Sequence, residues 1–104
     1  MKLSVFIITK NEEKNLSECL ESVAFADEIV VIDSGSWDPT VAIAKKYTPH
    51  VFFRVFDNFG EQKNYAISKT TGDWILSVDA DERITPELRL EIQQVSSRES
   101  VPFL

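Results

Sequence analysis

Two carboxylates one residue apart, Asp79 and Asp81, follow directly on the apolar run Trp74-Ile75-Leu76-Ser77-Val78. Along an extended strand, residues i and i+2 project to the same side, so the pair can converge on one point. Such a pair needs a cation. Mg2+ and Mn2+ take oxygen ligands, commonly one or two carboxylates with substrate phosphates and water in the other positions, which suits a nucleoside-diphosphate ligand. The competing reading is a solvated acidic turn, with Asp81 or Glu82 sitting before the next helix.

A second candidate is Asp33, which ends another apolar run and precedes Ser34-Gly35-Ser36. Glycine lets the backbone approach a ligand closely, hydroxyls offer donors, and an aspartate there can accept from a nucleobase or ribose. An Asx-type turn into the following helix is the alternative. Thr9-Lys10-Asn11-Glu12 forms a third junction of the same kind, equally suited to helix capping and to ligand contact. Gln62-Lys63-Asn64-Tyr65-Ala66 puts a cation and an amide in the first turns of a helix. Lys63 can balance a diphosphate in an acidic site or simply stay solvated. Trp37 and Trp74 read as packing residues, with Trp37 also able to cover a ring; His50 reads as structural and Cys19 as core. No nucleophile elbow, Walker-type glycine loop or dinucleotide fingerprint is present, which counts against hydrolase, ATPase and dehydrogenase readings.

The elements that must hold these residues alternate. Leu3 to Thr9 and Glu28 to Asp33 are apolar runs rich in β-branched residues, separated by Leu16, Cys19, Leu20 and Val23 at helical spacing. Asn11 is the expected cap of that helix, with Glu12 and Glu13 in its positive first turn. Ile29-Val30-Val31-Ile32 lacks alternation, as a strand covered on both faces should. Asp38-Pro39 is expected to open a second helix, cap then first residue, with Val41, Ala44 and Tyr47 on one face before a strand at Val51-Phe52-Phe53. A third helix is expected from Phe59 to Lys69, stopped by a left-handed Gly72. Trp74 to Val78 reads as a strand, Thr85-Pro86 opens a last helix bearing Leu88, Ile92 and Val95, and the pattern dissolves from Ser96. The fold class is therefore α/β: a mostly parallel sheet of about four strands with flanking helices, whose ligands bind outside the carboxyl ends of the strands. Function should sit at Thr9-Asn11, Asp33-Ser36 and Asp79-Asp81.

The 104 residues predict a single domain over 1–95 and a short tail over 96–104. A net charge of −6 argues against a nucleic-acid partner, so a phosphate-bearing ligand must be met locally. One cysteine permits no intrachain disulfide, and no apolar run approaches spanning length; a cytoplasmic location is the expectation.

Ser4-Val5-Phe6-Ile7-Ile8-Thr9-Lys10-Asn11-Glu12-Glu13, Cys19-Leu20-Glu21-Ser22-Val23, Asp27 to Ser36, and Gly72 to Glu82 resemble family 2 glycosyltransferases in order and spacing. The likeness is nearest to bacterial enzymes of lipopolysaccharide core synthesis, where Gly60-Glu61-Gln62-Lys63-Asn64-Tyr65-Ala66 also has its counterpart. It covers roughly residues 3 to 90. The resemblance implies the Rossmann-like nucleotide-binding half of a GT-A fold. In it Asp33 contacts the base, Asp79 the ribose or base, and Asp81 an Mn2+ or Mg2+ ion on the diphosphate. Thr9, Asn11, Glu12, Ser36, Lys63 and Ala80 complete the expected substrate contacts. It further implies inverting transfer from a UDP-type nucleotide sugar to a glycan or lipid-linked acceptor, by an enzyme peripheral at the inner membrane. Family members carry a small residue, Asp and Gly after the serine, where this chain has Trp37-Asp38-Pro39-Thr40. They also run well beyond twice this length, with the acceptor site and general base downstream. The chain alone is therefore expected to lack transfer activity and to self-associate. Two rivals stand beside this reading, a non-catalytic nucleotide- or metal-binding module and an α/β interaction domain with solvated acidic loops.

Overall fold

The computed structural model describes residues 1–97. Four strands, β1 (Leu3–Thr9), β2 (Glu28–Asp33), β3 (Val51–Phe53) and β4 (Trp74–Ser77), form one sheet in the order β3-β2-β1-β4, and every pairing is parallel. This matches the expected architecture.

β1 is central because nearly all of it is apolar and buried. Its alternate residues serve two layers. Val5 and Ile7, with Val31 of β2, pack against α1 (Leu16–Ser22) and α2 (Thr40–Lys45) through Leu16, Cys19, Leu20 and Ala44. Phe6, Val30 and Ile32 point the other way and meet Ala66 of α3 (Phe59–Lys69). A fully covered strand cannot alternate apolar with polar, which is why the sequence of β2 does not. The Asn58 side chain caps α3 by accepting from the Glu61 N–H at 2.8 Å, and Lys69 complements the negative last turn. Thr85 caps α4 (Pro86–Ser96) by accepting from the Leu88 N–H at 3.2 Å, with Pro86 opening the helix as expected. Leu88 and Leu90 on α4 are exposed, and Ile92 and Val95 only half-buried. The apolar tail Val101-Pro102-Phe103-Leu104 lies outside the described residues.

Several local expectations give way to tertiary contacts. α1 begins at Leu16, so Asn11 is not its cap and Glu12 and Glu13 lie outside its first turn. Asn11 instead takes a left-handed φ of 54°, donates its N–H to Ser36 Oγ at 2.8 Å, and accepts from the Trp37 N–H at 3.0 Å. Asn tolerates that conformation, and two bonds to the facing loop replace one capping bond. Asp38 accepts from the Thr40 N–H at 3.0 Å and the Glu13 N–H at 3.3 Å, so it caps α2 from one residue further out than expected and Pro39 precedes the helix. Tyr47 lies past the end of α2, and Ile43 rather than Val41 accompanies Ala44 into the core. Val78 falls just beyond β4, although its N–H still bonds to the Phe6 carbonyl at 3.2 Å.

Gly72 does not stop α3 in a left-handed conformation, because the chain already turns extended at Thr70. Its reason is space. A Cβ there would lie 2.5 Å from Ser4 Oγ and 2.8 Å from the Ser4 nitrogen. Ser4 Oγ accepts from the Gly72 N–H at 2.9 Å and donates to Glu28 Oε1 at 2.7 Å, and Glu28 also accepts from the Thr71 N–H at 2.8 Å. This knot joins β1, β2 and the entry to β4. We expect Gly72→Ala to destabilise the protein by about 1–3 kcal/mol in urea denaturation, since the contact is with backbone that cannot yield; wild-type stability would show that the entry to β4 moves freely.

Candidate functional site

Because all four strands run parallel, the loops after β1, β2 and β4 gather at one edge of the sheet. Thr9 and Asp33 are register partners at the ends of β1 and β2. The Asp33 carboxylate accepts four hydrogen bonds: Oδ1 from the Thr9 hydroxyl at 2.8 Å and the Ser36 hydroxyl at 2.6 Å, Oδ2 from the Gly35 N–H at 3.0 Å and the Ser36 N–H at 2.8 Å. Gly35 reaches φ 109° to present its N–H, a conformation that favours glycine. The Glu12 N–H donates to the buried Thr40 hydroxyl at 2.8 Å, completing a lattice between the two loops. Asp33 is 2% exposed, and its four bonds occupy the acceptor sites of both oxygens. The Asx turn is therefore what the carboxylate builds. Burial works to raise its pKa, but the Ser36 hydroxyl and N–H, the Thr9 hydroxyl and the Gly35 N–H together hold it below the ordinary aspartate value.

The second acidic group lies beyond β4 on a turn rather than on a strand. The Glu82 N–H bonds to the Asp79 carbonyl at 2.9 Å while Glu82 Oε1 accepts from the Asp79 N–H at 2.7 Å, so the turn is closed from both sides. Val78 and Ala80 are buried in the core, leaving Asp79 and Asp81 exposed on either side of Ala80. The buried Cys19 thiol donates to the Asp79 carbonyl at 3.5 Å. Its pKa is pushed up to about 11, chiefly by burial, so it packs as a neutral core residue. Behind the turn, Arg83 pairs with Glu18 at 3.0 Å.

Asp79, Ala80 and Asp81 line a cavity of about 430 Å³ together with Ile8, Glu12, Phe59 and Lys63. An adjoining cavity of about 360 Å³ is lined by Thr9, Lys10, Glu12, Ser34 and Phe56, and shares Ile8, Glu12 and Phe59 with the first. The structure thus brings Thr9, Glu12, Lys63, Asp79, Ala80 and Asp81 to one continuous depression. Asn11, Asp33 and Ser36 line neither cavity and stand behind it as its frame. Trp37 is 84% exposed and packs on nothing there, contrary to its expected packing role, whereas Trp74 is buried. His50 is exposed and contributes its carbonyl to Val31.

Among the described residues no group of three or more His, Cys, Asp and Glu side chains could hold a metal ion by itself. Asp79 and Asp81 fit the other arrangement, in which one or two carboxylates share a hard cation with substrate oxygens and water. Glu82 Oε1 accepts from the Asp79 N–H, which orients this carboxylate toward closing the turn.

Gln62 and Thr40, both 0% exposed, were not singled out by sequence reasoning. A signal for Gln62 existed: it lies four residues before Ala66 on the buried face of α3, where a polar residue needs partners.

A family model described as glycosyl transferase family 2 matches residues 4–95. The chain is 36% identical over 94 residues to a lipopolysaccharide core biosynthesis glycosyltransferase of Rhizobium meliloti, covering 86% of this chain and 35% of that protein. Among solved structures, Staphylococcus aureus TarS superposes with a TM-score of 0.73 at 31% identity, over 90% of this chain and 32% of TarS. Mycobacterium tuberculosis glucosyl-3-phosphoglycerate synthase, solved with Mn2+ and UDP-glucose, superposes with a TM-score of 0.68 at 27% identity, over 77% of this chain and 33% of the synthase. The chain spans about a third of the length of the curated relatives it matches. These likenesses bear out the α/β class and its GT-A character.

The Asp33 cluster sets a pH dependence whose sign follows from its lowered pKa. Its stabilisation is fully present above the ordinary aspartate value and is lost as pH falls through the lower folded value. Asp33→Asn removes the charge and turns one acceptor oxygen into an NH2 donor, so the Thr9 and Ser36 hydroxyls can no longer donate to it, and we expect a loss of about 2 kcal/mol at neutral pH. The gap to the wild type should narrow as urea denaturation is repeated from about pH 4 downward. A gap independent of pH would show that the ionised form is not what the cluster holds.

Proposed function

The chain belongs to glycosyl transferase family 2, and on that premise we propose that it forms the nucleotide-sugar donor site of an inverting, metal-dependent transferase. The acceptor is a cell-envelope glycan or lipopolysaccharide core, and the whole enzyme works at the cytoplasmic face of the inner membrane. The observation that carries this reading is the convergence of Asp79, Asp81, Lys63 and Glu12 on one cavity at the carboxyl ends of the strands.

In this reading Asp81 holds Mn2+ or Mg2+ and Asp79 takes the ribose or base. Bound there, the ion supplies positive charge that stabilises the diphosphate as it leaves. Lys63 adds a second positive charge at the same cavity, so the diphosphate is met locally despite a net charge of −6. The base lies in the adjoining cavity against Thr9, Glu12 and Ser34. Asn11 and Ser36 serve it by shaping the loops, and Asp33 does the same; a direct bond from Asp33 to the base requires one of its four internal bonds to open. Two relatives support the acceptor class: one is a lipopolysaccharide core biosynthesis glycosyltransferase and another a poly(ribitol-phosphate) beta-N-acetylglucosaminyltransferase.

We also infer self-association. Among the described residues β3 and β4 end the sheet unpaired, and Phe53, Val55, Phe59 and Leu90 are exposed. Light scattering over a concentration series should show mass above that of 104 residues, and a strict monomer sinks this inference.

The donor site is tested by calorimetric titration with UDP. Binding should require Mn2+, and Asp81→Ala should weaken it at least tenfold while the melting temperature holds, since Asp81 is exposed. Metal-independent binding would favour a non-catalytic nucleotide module, and absence of any binding a plain interaction domain. Unchanged affinity in the Asp81 variant removes that carboxylate from the metal site.

A further inference from the structure

Gln62 has no exposed surface, and its amide bonds reach two loops outside its own helix. Oε1 accepts from Arg54 Nη1 at 2.8 Å. Nε2 donates to the Arg54 carbonyl at 3.0 Å and to the Ser34 hydroxyl at 3.2 Å. Arg54 directly follows β3 and Ser34 directly follows β2, so one side chain ties α3 to the exits of two strands. The Arg54 guanidinium is itself fixed by Asp57 at 2.9 Å and by the Tyr65 ring, 5.7 Å away.

We propose that Gln62 is a positioning residue for the donor site: it sets the rotation of α3 that turns Lys63 toward the cavity of Asp79 and Asp81. Successive helical residues are turned by about 100° about the axis, so locking Gln62 inward fixes where Lys63 and Phe59 emerge. Both of these line the cavity. An apolar residue at this position would be buried beside Ala66 and would set the rotation only coarsely, because apolar burial has no direction and hydrogen bonds do. The same amide holds Ser34, which lines the adjoining cavity. Gln62 itself is sealed from both and touches no ligand.

This inference rests on the donor-site reading, and its test separates the two. Gln62→Met keeps length and packing while removing all three bonds, and Ser34 and Arg54 remain close enough to the surface to bond water. UDP affinity in Mn2+ should fall about tenfold in Gln62→Met and also in Lys63→Met, with the double variant losing less than the two single losses combined, since coupled residues are not additive. Additive losses, or full affinity in either single variant, overturn the positioning role while leaving the Asp81 assignment standing. Should the wild type bind no UDP, the donor-site reading falls, and amide exchange without ligand still decides the mechanical claim. Exchange at Ser34 and Lys63 should quicken about tenfold in Gln62→Met with β1 unchanged, and unchanged exchange overturns it. Gln62→Glu retains an acceptor for Arg54 and loses both donors, so it should quicken Ser34 even if the methionine variant does not fold; wild-type exchange there counts against the proposal equally.

Discussion

A buried carboxylate with all its acceptor sites filled is the constraint on which the rest of the site depends. An ionised aspartate with almost no exposed surface is tolerable only if its charge is met by donors, and Asp33 meets that condition with two hydroxyls and two backbone N–H groups. Those donors come from β1 and from the loop after β2, so satisfying one charge fixes both strand exits. The left-handed turns at Asn11 and Gly35 are consequences of the same demand. Without the carboxylate the loops would keep only the bonds of Asn11 to Ser36 and Trp37, of Glu12 to Thr40 and of Glu13 to Asp38.

The parallel sheet turns this local order into a site. Loops distant in sequence meet because their strands share a direction, and the central position of β1 leaves the ends of β2 and β4 on either side of it. The depression is therefore framed by backbone already committed to the fold, and only the side chains facing it remain free for chemistry. Asp79 and Asp81 illustrate the division: Ala80 between them is in the core, Glu82 closes their turn, and the two carboxylates are left in solvent. Exposed acids keep acceptor sites that a cation can use, whereas the buried Asp33 already has four donors on its carboxylate.

The charge distribution follows the same economy. A chain of net charge −6 repels a nucleoside diphosphate in general, so the proposed donor site needs positive charge at short range, which a cation and Lys63 would supply. Lys63 can act there only because α3 is held at a particular rotation, and Gln62 is the polar contact that could hold it.

By itself, the sequence determined the α/β class, the order of the elements and the three strand-to-loop junctions that meet at one edge of the sheet. Short apolar runs rich in β-branched residues that alternate with helical patterns read as strands of a parallel sheet, and residues directly after such strands gather at one edge of it. The family was also legible, since the motif around Asp33 and the one ending at Asp81 stand in one order and spacing. Tertiary structure decided what each residue does at that edge. Asn11 looked like a cap and became a bridge, Gly72 looked like a helix stop and instead makes room for Ser4, and Asp33 turned from the cavity into its frame. Gln62 showed only as a polar residue one helical turn before Ala66, and its partners Arg54 and Ser34 lie in other elements. Each of these roles depends on a partner some 25 or more residues away or in another element, and short-range preferences worth about 1 kcal/mol yield to several long-range hydrogen bonds acting together.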